Sequence, residues 1–448
     1  MLRQRRAQWR RNGLLPSAVV VIGFALAIAV GTLLLLLPWS REPGVSVDFI
    51  DTAFTAVSAV TVTGLATVDT GTTWSPFGQA VLLGLIQLGG LGMVTSGTLM
   101  MMLVSRRLGL TTRLAAQQEM PGFSLGDLRD ILRFALLVTF VLEAVLSLLL
   151  MLVFLLRYGY GPGDAAWYGF FTTVSGFNNA GFALFPDSLM SFQSDPFVLL
   201  IVAAAIILGG LGLPVFLDLR SYGMQHPSRW SVHTRLTVIT TIGLLLLGTV
   251  GFTIFESGIP GTTPATELLN GFFSSVTART AGFNSIDYGA ASEETLLLTN
   301  FLMIIGGGSA STAGGIKVTT FVILLLVVRA EARGHRDVNI GDRRMPSRAI
   351  RSALAITVSY AFLISAGVMA LLATSDFPLS DVLFETISAI ATVGLSTGIT
   401  GSLRPADLVV LMVLMFVGRL GTLTLASAFA LSRKDLPYRL PEGQPIIG

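Results

Sequence analysis

Thr61-Val62-Thr63-Gly64-Leu65 is a short stretch closed by a glycine, and its layout returns three times along the chain. The other copies read Asn178-Asn179-Ala180-Gly181-Phe182, Arg279-Thr280-Ala281-Gly282-Phe283 and Ala391-Thr392-Val393-Gly394-Leu395, with successive glycines 117, 101 and 112 residues apart. A phenylalanine stands ten residues before each glycine, at Phe54, Phe171, Phe272 and Phe384. Between them runs a segment of small and apolar residues such as Thr55-Ala56-Val57-Ser58-Ala59-Val60. These runs are about half the ~20 residues a helix needs to cross a bilayer, so each is read as re-entrant.

Irregular backbone at membrane depth is tolerated only where protein buries it or where it lines water. Four copies around one axis give rings of backbone carbonyls, with Gly64, Gly181, Gly282 and Gly394 free to take the φ > 0 geometry that turns carbonyls inward. Such carbonyls replace the water around a dehydrated cation, and each short helix aims its partially negative C-terminus at the same spot. The expectation is a cation selectivity filter built from Thr61, Val62, Thr63 and Gly64, from Asn178, Asn179, Ala180 and Gly181, from Arg279, Thr280, Ala281 and Gly282, and from Ala391, Thr392, Val393 and Gly394. One such glycine alone reads better as a helix-breaking turn with no ligand; four in order do not. The amides of Asn178 and Asn179 either offer oxygens to an ion or brace the pore helices.

The rest of the chain fits a membrane setting. Of 448 residues, 52% are hydrophobic and only 12% charged, and the mean hydropathy of +0.74 lies far outside the range of soluble domains. No cysteine is present, so neither disulfides nor thiolate metal sites arise. The three histidines, His226, His233 and His335, fall in hydrophilic connections, and Glu143 is the one plain carboxylate inside a predicted span. That leaves little for a membrane-embedded enzyme, and the chain is read as a non-enzyme. No Gly-Lys-Ser/Thr phosphate loop occurs, so no nucleotide is expected on this chain itself and no nucleic acid is implied.

Every repeat follows one plan of long helix, short re-entrant helix, glycine turn and second long helix. The first helices are expected near 16–39, 131–156, 234–255 and 350–373, and the second near 77–104, 196–217, 295–328 and 406–431. The run from Ser17 to Trp39 is longer than the apolar part of a secretory signal and lacks an Ala-x-Ala-like exit, so it is taken as the first span. The predicted fold is an all-α membrane protein with four pseudo-symmetric helix–pore helix–helix repeats around one central ion pore. Eight transmembrane helices and four re-entrant half-helices make it up. The repeats divide as 1–105 with a cytoplasmic N-terminus, 106–230, 231–345 with an intramembrane gating loop, and 346–448 with a C-terminal tail.

Charge tests this topology independently. With the N-terminus inside, 23 of the 29 Arg and Lys residues fall in cytoplasmic segments, as the positive-inside rule requires. Most carboxylates go to the outer side, among them Asp69, Asp187, Glu256, Asp287, Glu293 and Asp407. They read either as an acidic vestibule that concentrates cations or as ordinary solvated loops.

The third repeat is interrupted midway through its last span by Gly306-Gly307-Gly308-Ser309-Ala310-Ser311-Thr312-Ala313-Gly314-Gly315, five glycines in ten residues and poor helix. A polar, flexible segment below a filter reads as a gate, against the alternative of a close-packing seam. The shorter seams Gly89-Gly90-Leu91-Gly92 and Gly209-Gly210-Leu211-Gly212 are assigned to packing. Lys317 and Arg419 lie inside predicted spans, where a charge costs at least ~2.5–3.5 kcal/mol and must face water or a partner. Arg419, in Gly418-Arg419-Leu420-Gly421, is placed below the filter, either as a barrier to cations or in a salt bridge with Glu143. Arg279 is expected to brace the pore helices through a carboxylate such as Glu267 or Glu385.

The four motifs quoted above, in order over residues 15–448, resemble the Trk/Ktr/HKT superfamily of potassium transporters, most closely the KtrB-type membrane subunits. The resemblance implies K⁺ as the permeant ion, Na⁺ stimulating it or sharing the path, and the same gating by the Gly306–Gly315 loop. It also implies that Arg419 acts as the electrostatic barrier. It further implies a homodimer with the tail Leu436–Gly448 near the interface, and a cytoplasmic, nucleotide-binding KtrA-type regulatory ring. The expected setting is the plasma membrane, multi-pass, with both termini cytoplasmic. A Na⁺-selective or Na⁺-coupled transporter of the same fold is the alternative; in this superfamily a serine at the first filter glycine goes with Na⁺ preference, and Gly64 stands there instead.

Overall fold

A computed structural model describes residues 16–106, 128–224, 226–257, 263–340 and 343–431. The N-terminal arginines, most of the loop near 105–133 and the tail Leu436–Gly448 lie outside the described residues.

Repeat one contains α1 (Pro16–Leu35), α2 (Phe49–Thr61), a single turn α3 (Thr70–Thr73) and α4 (Pro76–Arg106). Repeat two follows with α5 (Leu128–Arg157), α6 (Pro162–Phe177), α7 (Pro196–Leu211) and α8 (Leu213–Tyr222). Repeat three has α9 (Val232–Phe255), α10 (Pro264–Thr277), α11 (Glu293–Ile304) and α12 (Val318–Ala332), and repeat four α13 (Ser347–Leu372), α14 (Leu379–Ala391) and α15 (Pro405–Leu431). Among the described residues the only strands are a two-residue hairpin, β1 (Asn339–Ile340) and β2 (Arg343–Arg344), between α12 and α13.

The short helices α2, α6, α10 and α14 have 13, 16, 14 and 13 residues, too short to span. Their starts are written locally. Pro162 and Pro264 open α6 and α10, where a missing N–H costs nothing, and Thr263 caps α10 by accepting from Thr266 N–H at 3.2 Å. The long helices are apolar on their outer faces as well as inside: Leu137 is 62% exposed, Val358 67% and Phe362 71%. Exposure of that kind along whole helices marks a lipid-facing surface.

Pro76–Met93, Asp130–Arg157, Val232–Phe255 and Ser347–Leu372 are each long and apolar enough to cross a bilayer alone, and α7 with α8 qualify as a bent pair. Helix α1, helix α15 and the interrupted pair α11 and α12 stand at the places of the other expected crossings. Two of the expected helix ends need correction. The first helix stops at Leu35 rather than Trp39, because Pro38 holds Leu37 in an extended conformation and opens a separate tight turn. The second helix of repeat two does not run from 196 to 217. It breaks at Gly212 (φ 91°, ψ 153°) and turns through 91°, with Pro214 opening α8. The third-repeat span stops at Ile304 and resumes at Val318, as the glycine-rich run predicts.

The core closes in a ring. One buried cluster joins Leu82 and Ile86 of repeat one to Phe171 and Phe182 of repeat two. A second joins Val198 and Val202 to Phe273 and Phe283 of repeat three, and a third joins Leu302 and Met303 to Phe384 and Leu395 of repeat four. The fourth packs Leu411 and Met415 against Phe54 and Leu65 of repeat one. Each repeat therefore receives the pore helix of the next, and the fourth receives that of the first.

Candidate functional site: four glycine turns and an interrupted helix

The four short helices deliver their glycines to one place. A Cβ placed on Gly64 would meet Gly181 Cα at 3.0 Å, one on Gly181 would meet Gly282 Cα at 2.9 Å, one on Gly282 would meet Gly394 Cα at 3.2 Å, and one on Gly394 would meet Gly64 Cα at 3.0 Å. The ring is closed, in sequence order, and has no room for side chains at these positions. All four glycines have positive φ, from 72° to 96°.

A second left-handed residue stands two positions before each glycine: Val62 (φ 55°), Asn179 (57°), Thr280 (70°) and Thr392 (50°). The residue between has negative φ in every copy. Each turn therefore alternates in the sign of φ over its last three residues. Sequence reasoning anticipated positive φ at the glycines and missed it at these four. Asparagine tolerates αL and carried a faint signal at Asn179, but β-branched Val62, Thr280 and Thr392 argue against it. In repeats one and four the turn is fastened from within: the Ser58 and Ser388 hydroxyls accept from the N–H groups of Gly64 and Gly394, each at 3.0 Å.

The glycines form the floor of an open vestibule of about 420 Å³. Of the outer carboxylates, Asp69 and Asp287 line it. Asp69 also accepts from Thr72 N–H at 2.7 Å and Asp287 from Gly289 N–H at 2.9 Å. Glu256 instead accepts from Ser292 N–H (3.2 Å), Asp187 from the Ser191 hydroxyl, and buried Asp407 from Arg404 N–H (3.2 Å) and the Thr374 hydroxyl. None of these three lines the vestibule.

On the opposite side of the ring lies the segment between α11 and α12. Ile305 pairs with Ile316, Gly306 N–H donates to Ile316 O at 2.9 Å, and Val318 N–H donates to Gly307 O at 3.1 Å, so the loop leaves and returns at one level. Its tip reaches the turns of three repeats. Thr312 Oγ1 donates to Asn179 Oδ1 (3.0 Å) or to Phe177 O (3.1 Å), and Gly314 N–H donates to Thr280 Oγ1 at 3.1 Å. Any side chain on Gly314 would strike Thr392. Backbone bonds tie the loop to the break at Gly212: Gly308 N–H to Gly210 O (2.8 Å), Thr312 N–H to Gly209 O (3.3 Å) and Leu213 N–H to Ala310 O (3.1 Å).

Three cations surround this loop. Arg419, 1% exposed, donates from Nη1 to Thr312 O at 2.7 Å and from Nη2 to Gly89 O at 3.5 Å. It makes no pair with Glu143, whose carboxylate accepts from Gln87 (3.1 and 3.2 Å) and Asn178 Nδ2 (3.1 Å). Lys317 Nζ folds back onto Ala313 O at 2.5 Å. Arg279 donates to Thr241 Oγ1 and to Gly306 O, both at 3.3 Å, so it holds the loop and not a pore-helix carboxylate. Glu385 is occupied by the Ser396 and Thr400 hydroxyls, and Glu267 sits at the far end of α10, about 18 Å away by helical rise. Asn178 braces α4, α5 and α6 together through Gln87, Glu143 and Val174 O, and the Asn179 side chain points to the loop. The seams at Gly89, Gly209 and Gly418 press against the pore-helix carbonyls of Val60, Phe177 and Ile390.

Comparison with known proteins agrees with this architecture. The family model described as TrkH, cation transport protein, matches residues 17–436. The chain is 39% identical over 437 residues to Ktr system potassium uptake protein B of Bacillus subtilis, covering 97% of each. It is 34% identical to the potassium/sodium uptake protein NtpJ of Enterococcus hirae, covering 98% of each. The crystal structure of the potassium transporter TrkH from Vibrio parahaemolyticus has the same fold, with a TM-score of 0.72 at 19% identity, over 92% of this chain and 83% of that one. A transporter architecture of four repeats, matched by a family model over nearly its whole length, places this chain in the TrkH family of cation transport proteins.

Proposed function

We propose that the chain takes up K⁺ across the plasma membrane through the ring of Gly64, Gly181, Gly282 and Gly394, with the Gly306–Gly315 loop as its gate. The observation that carries the reading is the closed ring: four backbone turns meet in sequence order, with an open vestibule on one side and a loop pinned by Arg419 on the other. Carbonyls of residues 61–64, 178–181, 279–282 and 391–394 replace the hydration shell of the ion. Arg419 and Lys317 set an electrostatic barrier beneath. The relatives named as potassium uptake proteins support K⁺ as cargo, and the potassium/sodium uptake protein supports a Na⁺ contribution on the same path. The four repeats, divided near residues 105, 230 and 345, act as quadrants of one pore.

In this reading the chain is a membrane subunit that works as a homodimer, with both termini cytoplasmic. A KtrA-type nucleotide-binding ring docks on its basic inner loops and controls the gate. Proteoliposomes of the purified chain test the core of the reading. Uptake of K⁺ and Rb⁺ well above Na⁺, rising with imposed voltage, is the expected result; Na⁺ uptake at equal or higher rate moves the function to a Na⁺ transporter of the same fold.

A further inference from the structure

We infer that the gate loop holds the filter in shape in two of its four quadrants, and that Thr312 is the positioning residue through which the state of the gate sets ion preference. The inference rests on the filter and gate reading above. Its starting point is an asymmetry. Repeats one and four fasten their glycine turns with their own serines, Ser58 and Ser388. In repeat two the corresponding Ser175 hydroxyl has no hydrogen-bond partner, and in repeat three the corresponding residue is Val276, which has no hydroxyl.

What those two repeats lack within themselves, the loop supplies. Thr312 Oγ1 reaches Asn179 Oδ1, and Gly314 N–H reaches Thr280 Oγ1. Asn179 and Thr280 are the left-handed residues of their turns. Such conformations persist only where surrounding structure over-determines them. In the quadrants without a serine clamp, that structure is the loop.

Thr312 is also where the loop is held shut. Its carbonyl accepts from Arg419, its N–H donates to Gly209 O, and its single hydroxyl proton is shared between Asn179 Oδ1 and Phe177 O. A loop that moves aside to admit an ion breaks the Arg419 contact and the Asn179 contact together. Two quadrants then relax while the serine-clamped pair keep their shape. Ion preference and gate position are thereby coupled.

Thr312→Val removes the hydroxyl and keeps the shape; Thr312→Ser keeps the hydroxyl. Two readouts on the purified full chain separate preference from flux: the rise in thermal unfolding midpoint on adding K⁺ or Na⁺ in detergent, which needs no transport, and competition between the two ions for uptake in proteoliposomes. Thr312→Val is expected to lose roughly fivefold in K⁺ over Na⁺ preference in both, the scale of one buried hydrogen bond, and Thr312→Ser to restore it. If Thr312→Val raises the flux of both ions alike with preference unchanged, the coupling is overturned and the gate survives. If the wild-type chain responds to neither ion, the filter reading itself falls. Should Thr312→Val not yield folded protein, Thr280→Val, which removes the acceptor for Gly314 N–H, carries the same comparison.

Discussion

Val62 sits at φ 55°, a region that a β-branched residue rarely visits, and Thr280 and Thr392 share its predicament. Each such residue stores of order 1–3 kcal/mol of strain, and no propensity scale would have placed it there. The glycines beside them were legible because their spacing repeats; the strained neighbours were not, because only the closed ring forces them. The ring also makes substitution at the glycines severe. Gly64→Ser puts a Cβ into the carbonyl of Ala180 and against Gly181, so K⁺ over Na⁺ preference should fall in a competitive uptake assay. Arg419 was placed below the filter by its seam, but its partners were not foreseen: both are carbonyls, from chain segments 107 and 330 residues away. On the proposed path, a unit positive charge at a distance of ~7 Å from the ion and an effective dielectric of ~20 would add about 2 kcal/mol to a cation's barrier. Arg419→Ala should therefore raise K⁺ flux severalfold or more, and Arg419→Lys, which keeps the charge, should stay closer to wild type.

At the scale of elements, apolar runs located the long helices to within a few residues, since lipid demands about 20 apolar residues whatever the neighbours are. The break in repeat two was missed for a physical reason. Gly209-Gly210-Leu211-Gly212 reads like Gly89-Gly90-Leu91-Gly92, yet the latter stays helical throughout α4. The signal that distinguishes them is Pro214, two residues on, which cannot continue the ladder of α7 and serves instead to open α8. The break matters because Gly212 is the hinge against which the gate loop is hydrogen-bonded. Its φ of 91° with ψ of 153° is a region open essentially to glycine alone. Gly212→Ala should lower stability by about 1–3 kcal/mol, read as a fall in the thermal unfolding midpoint of the detergent-solubilised protein.

For the whole molecule, the ring of buried clusters explains why four repeats of different sequence close around one axis: each pore helix is packed by the repeat before it. That closure is a tertiary property, and the sequence carried only its period. A single path through the ring predicts uptake that follows voltage. At about 2.3 kcal/mol per charge per 100 mV, K⁺ should accumulate to about a fiftyfold concentration ratio at 100 mV, negative inside, measured at equilibrium in liposomes. A ratio well beyond that would require coupling to another ion and would sink the downhill reading.

Because the four walls of the pore belong to one polypeptide, a single codon change alters one wall and leaves three untouched. In a channel assembled from four identical chains, the same change would strike every wall at once. The present arrangement lets variation explore the pore in quarter steps, and it lets one wall lean on a neighbour for support while another stands by itself.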